Sequence, residues 1–107
     1  MISKKDNERI QELADAILAL KNRNEARRFL RDLLTEKELI EFGNRWKAAR
    51  MLEKKVPYKK IEKETGLSST TVARVSKWLN NGKKGYKLIL NRLNHHHNFS
   101  PSGKGLC

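Results

Sequence analysis

Apolar residues return along this chain every three or four positions, the spacing of a helix face, and nowhere alternate as they would in a strand. Ile10, Leu13, Ala14, Ile17 and Leu20 make the first stripe. Asn22 to Asn24 reads as a turn, and Ala26, Phe29, Leu30, Leu33 and Leu34 give a second, short helix. Thr35-Glu36-Lys37-Glu38 has the form of a capping box, in which Thr35 caps the amide of Glu38 and the Glu38 carboxylate reaches back. The third helix then runs to about Lys54 with Leu39, Phe42, Trp46, Ala49 and Leu52 on one side. Lys54-Lys55-Val56-Pro57 is a connector that puts Pro57 at a first helical position. Two further helices carry Ile61, Leu67, Val72, Val75 and Leu79, and Asn80-Asn81-Gly82 ends them. A last helix from about Lys83 to Asn94 has Tyr86, Ile89, Leu90 and Leu93 apolar. The pattern predicts an all-α fold of about six helices.

The segment from Tyr58 to Leu79, YKKIEKETGLSSTTVARVSKWL, narrows this further. A short helix from Pro57 to Glu64 enters Thr65-Gly66-Leu67, where Gly66 suits a turn that needs positive φ. Ser68 or Ser69 offers an oxygen to cap the next helix. The apolar positions lock two helices across a short turn, the form of a helix-turn-helix over about residues 57–80. Ser69, Thr70, Ala73, Arg74 and Lys77 are left outward: small, hydrogen-bonding or cationic. A plain helical hairpin has the same geometry. Its solvated face, however, normally mixes Glu with Lys, and Ser68 to Asn81 contains no acid.

The 107 residues carry a formal net charge of +12, and its placement matters more than its size. Met1 to Gly43 balances nine Lys/Arg against nine Asp/Glu, whereas Asn44 to Arg92 sets fourteen Lys/Arg against three acids. A neutral half and a basic half predict a scaffold joined to a surface for a polyanion rather than a uniformly basic solvated surface.

The length predicts a single small domain over residues 1–94, without room for a separate catalytic or ligand-binding domain. A lone cysteine, Cys107, permits no internal disulfide, in keeping with a reducing compartment. No apolar run is long enough for a membrane span, and the amphipathic start is unlike a secretory signal, so a cytoplasmic location is expected. Residues 95–107, rich in His, Asn, Ser, Pro and Gly, read as a disordered tail. Its His95-His96-His97 run cannot turn three imidazoles to one ion from a regular helix, so no metal site is expected. The many apolar side chains of the first three helices, Phe29, Phe42 and Trp46 among them, exceed what one thin layer covers, which predicts a homodimer.

Within Leu33 to Leu93, the runs LLTEKELIEFGNRWKAARML and YKKIEKETGLSSTTVARVSKWLNNG, followed by a terminal helix, resemble the Trp repressor family. The Leu-Thr pair before an acidic first turn, the Gly-x-Arg of the third helix and the Gly-x-x-x-Thr-x-x-x-Arg of the fifth carry the likeness. It looks closest to the shorter Trp-repressor-like proteins of uncharacterised regulatory role, not to the tryptophan-responsive repressor itself. The resemblance implies six helices, an intertwined homodimer built from the N-terminal and last helices, and operator binding through the helix-turn-helix. In the tryptophan-binding member two arginines sandwich the indole. Arg74 matches one and Arg45 the other, with slightly altered spacing to the turn. Val75 stands where that pocket needs glycine, and Trp78 where a serine meets the ligand's amino group. Arg45, Arg74, Val75 and Trp78 therefore read as a vestigial pocket. Tryptophan is not expected as a ligand, nor is any cofactor.

The expected function is a sequence-specific, double-stranded-DNA-binding regulator, a repressor acting as a dimer on a palindromic operator. Ser69, Thr70 and Thr71 would lie at base edges and Lys59, Lys60, Arg74 and Lys77 mainly at phosphates, with Tyr58 and Ser68 also in the DNA-binding set. The alternative is a basic RNA-binding or ribosome-associated protein. RNA readers stack bases on aromatics, for which only Tyr58 and Trp78 fall off the core spacing. No nucleophile-base pair, no carboxylate pair and no glycine-rich phosphate loop marks an enzyme.

Overall fold

The computed structural model describes residues 1–99, which form six helices and no strand: α1 Lys4–Leu18, α2 Arg23–Leu33, α3 Glu36–Glu53, α4 Tyr58–Thr65, α5 Ser69–Asn81 and α6 Gly85–Phe99. Most starts are set by local chemistry. Ser3 Oγ accepts from Asp6 N at 3.0 Å, and Asn22 Oδ1 from Glu25 N at 2.9 Å. The Thr35 capping box closes both ways: Glu38 N donates to Thr35 Oγ1 at 3.1 Å, and Thr35 N to Glu38 Oε1 at 2.9 Å.

Several boundaries differ from the sequence pattern for identifiable reasons. Asn22 is a cap, so Arg23 and Asn24, expected in a turn, are already helical. Leu20 lies beyond the end of α1. Pro57, with φ −62° and ψ 148°, is the extended cap of α4 and not its first residue. The last helix begins at Gly85 instead of Lys83 because Lys84 takes φ 68° and breaks the run. It then continues past Asn94 to Phe99, so the backbone of the His95-His96-His97 run is helical. The remainder of the expected tail, 100–107, lies outside the described residues.

The chain divides into two compact units, Met1–Leu39 and the segment from Ile40 onward. In the first, neither α1 nor α2 has a buried residue. Ile10, Leu13, Ile17, Leu30 and Leu33 all remain substantially exposed in the single chain. The second has a true core: Ala48 and Ala49 of α3, Ile61 of α4, Leu67 of the turn, and Val72 and Val75 of α5. The Trp46 and Tyr86 rings stack at its edge, with centroids 6.2 Å apart. Ile61, Val72 and Val75 are the largest fully buried side chains, each worth about 1.5–3 kcal/mol of burial. The stripe expected on α3 is modified: Phe42 is exposed beneath the Arg45 guanidinium, while Ala48, outside that stripe, has no exposed surface. No helix among the described residues is long and apolar enough to cross a membrane.

Candidate nucleic-acid interface

The α4–α5 turn is fixed by three local devices. Gly66 sits at φ 75°, and its amide donates to Glu62 O at 2.8 Å, ending α4. Thr65, buried, donates through Oγ1 to Ile61 O at 2.7 Å and accepts from Leu67 N at 3.2 Å, tying the turn from inside. Its part was not visible in the sequence, where a threonine before a glycine carries no special mark. Ser68, not Ser69, caps α5: its Oγ accepts from Thr71 N at 3.1 Å and lies 3.0 Å from Thr71 Oγ1. The hydroxyls of Ser68 and Thr71 are thus spent partly on the cap, and Thr71 is half-buried.

The outward side of α5 is what the core leaves free. Val72, Val75 and Leu79 turn inward, and Thr70, Arg74, Lys77 and Asn81 follow each other at helical spacing as exposed residues. Asn81, expected in the ending turn, is the last residue of α5 and belongs to this line. The spacing i, i+4, i+7 and i+11 from Thr70 could have found it. Ser69 and Ala73 are exposed beside them. Asp and Glu are normally favoured in a first turn, where the helix dipole is positive. Neither α4 nor α5 has an acid there. The first turn of α4 instead carries Lys59 and Lys60, which oppose the dipole by about 0.3–1 kcal/mol each at an exposed surface. No side chain caps the start of α4 at Pro57, and Tyr58 next to it is exposed. An oxyanion placed there would satisfy the free amides and relieve the lysines together. Glu64, which lines one surface depression with Lys59, Lys60 and Lys63, pairs with Lys47, whose Nζ lies 3.8 Å from its Oε1.

The four residues of the expected vestigial pocket fall in unlike settings. Val75, 1% exposed, is part of the α4–α5 core. Trp78 is 45% exposed and lines a shallow cleft with Lys77, Asn81, Gly82 and Lys83. Arg74 is exposed on α5. Arg45 on α3 donates from Nε to Glu41 Oε2 at 3.2 Å and lies 5.4 Å above the Phe42 ring. Among the described residues no cluster of His, Cys, Asp and Glu could hold a metal ion.

A family model described as Trp repressor protein matches residues 8–94 of the chain. The protein YerC of Bacillus subtilis (strain 168), itself uncharacterised, is 39% identical over 92 residues, spanning 86% of this chain and 88% of YerC. A TrpR-like protein from Eubacterium eligens superposes with a TM-score of 0.77 at 36% identity, over 81% of this chain and 90% of that one. A Staphylococcus aureus protein whose description also refers to a Trp repressor gives 0.76 at 39% identity, over 81% and 87%.

Proposed function

From the premise that this chain belongs to the Trp repressor family, we propose that it is a cytoplasmic, sequence-specific DNA-binding regulator of transcription, acting as a repressor. The acid-free outward face of α5 carries this reading. A solvated helix has no reason to exclude acids over a whole face, whereas a helix lying in a major groove does. Ser69, Thr70 and Asn81 offer hydrogen bonds for base edges; Tyr58, Lys59, Lys60, Arg74 and Lys77 offer phosphate contacts. One such module reads only a few base pairs. Paired modules in a homodimer read two half-sites related by two-fold symmetry. Selection of bound duplexes from a random pool should therefore return an inverted repeat with half-site centres about 10 base pairs, or a multiple of that, apart. A pool that never enriches would remove the claim to sequence specificity. The exposed aromatics Tyr58 and Trp78 keep one rival alive, an RNA reader that stacks bases. Preference for single-stranded RNA over duplex DNA in the same assay would favour it.

Free tryptophan should not switch the protein. A corepressor acts only by binding the DNA-competent state better than the alternative. Val75 is already packed into the core and Trp78 puts an indole beside Arg74's helix face, which leaves no reason for a slot shaped to a second indole. Calorimetry with tryptophan in large excess should give no heat and no change in operator affinity. Saturable binding coupled to tighter DNA binding would show the opposite.

A further inference from the structure

Among the described residues two that are not glycine take positive φ, and both are lysines: Lys55 at 65° and Lys84 at 68°. Left-handed backbone crowds a Cβ and is ordinarily left to Gly, Asn or Asp. Nothing in a lysine side chain eases that conformation. Lys55 closes α3, its amide donating to Leu52 O at 3.0 Å.

The same residue lines an open cleft of about 480 Å³, bounded by the end of α3, the start of α4, the second half of α5 and α6. Lys87 of α6 lines it too, together with Tyr58, Ser76 and Asn80. Glu53 is the acid in its wall, and that carboxylate accepts from Asn94 Nδ2 at 3.3 Å. Tyr58, the first residue of α4, is part of the same wall. Two lysines and the hydroxyls of Tyr58 and Ser76 in one wall suit an oxyanion, while Asn80 Nδ2 donates to Ser76 O at 3.0 Å. Ser76 and Asn80 fix the cleft on the flank of α5, beside the outward line of Thr70, Arg74, Lys77 and Asn81. A helix lying in a major groove has a row of phosphates along either flank.

We propose that the Lys55–Lys87 cleft seats a backbone phosphate of duplex DNA alongside the groove that α5 reads. This rests on the DNA-binding reading above and adds a contact outside the helix-turn-helix pattern.

Lys55→Asn removes the charge and keeps a residue at ease in left-handed backbone. Lys87→Gln removes the other charge from an exposed helix position. Lys5→Gln, on α1, subtracts one charge elsewhere. Affinity for a random-sequence duplex would be followed from about 50 to 200 mM salt, with melting temperature measured in parallel. Lys55→Asn and Lys87→Gln should each bind about fivefold more weakly per lost contact near physiological salt and flatten the log–log salt slope by about one unit per contact. Both should melt close to the unaltered chain, and Lys5→Gln should leave the slope unchanged. If the unaltered chain binds duplex steeply with salt but both cleft variants behave like Lys5→Gln, the phosphate seat is overturned and the DNA reading stands. If the unaltered chain binds no duplex, both fall. Should Lys55→Asn lose binding only together with melting temperature, Lys87→Gln decides, and a full slope there overturns the seat.

Discussion

Leu13→Glu is expected to abolish the homodimer proposed for this chain and most of the folded population with it. In the single chain α1 and α2 bury nothing, although Ile10, Leu13, Ile17, Leu30 and Leu33 form apolar stripes on them. Helices with stripes of this kind are marginal in water by themselves, and their stability has to come from packing an apolar face. The second unit leaves Leu88, Ile89 and Leu93 of α6 exposed as well. A second copy of the chain would cover such surfaces symmetrically. If dimer interface and core are one structure, stability depends on protein concentration, and no folded monomer stands in reserve. Truncating a leucine buried in such an interface costs about 2–5 kcal/mol per protomer, before the carboxylate's desolvation is added. That is comparable with the entire stability of a small domain. Light scattering at micromolar concentration should give twice the 12.4 kDa chain mass for the unaltered protein. Leu13→Glu should lose both that mass and the cooperative thermal transition. A unaltered chain that stays folded at its single-chain mass would refute the dimer.

DNA affinity should fall by about 10³ to 10⁵ between 50 and 200 mM salt, a log–log slope of roughly −5 to −9. Asn44 to Arg92 carries an excess of eleven positive charges, enough for several phosphate contacts from each protomer. Different residues should then behave differently. Lys59→Ala or Lys77→Ala should weaken every sequence alike and flatten the slope by about one unit per contact. Thr70→Ala, at the head of the exposed line of α5, should instead alter which sequences are preferred, by about 1–3 kcal/mol at the affected position. A Thr70 variant that lowers all sites equally would deny it a part in reading bases.

The parts of this architecture legible in the sequence are those decided within one turn of helix. The Thr35–Glu38 box, the Ser68 cap and Gly66 are side-chain or backbone necessities at fixed offsets, and they mark the helix ends near where they occur. The inward set Ile61, Leu67, Val72, Val75 and Leu79 follows from spacing alone, and all five are buried. Less legible were features with no local signature. Lysine in left-handed backbone is rare enough that nothing predicts it at Lys55 or Lys84, and the start of α6 moved accordingly. The His-rich end of α6 has no apolar period to announce a helix. On α3, alanine reads as neutral, so the pattern does not single out the buried Ala48, while the larger Phe42 falls on the stripe and is exposed. For the site, spacing separates outward from inward residues but cannot say which hydroxyl is spent on a cap.

That separation has a bearing on how such a protein changes its target. The side chains of Thr70, Arg74, Lys77 and Asn81 are exposed, while Ile61, Val72 and Val75 behind them carry the packing. Exchanges at exposed positions away from caps and core usually alter stability by no more than about 0.5 kcal/mol. On the proposed DNA-binding reading, a lineage carrying this scaffold can therefore try new target sequences one residue at a time, without first acquiring a compensating mutation to keep the chain folded.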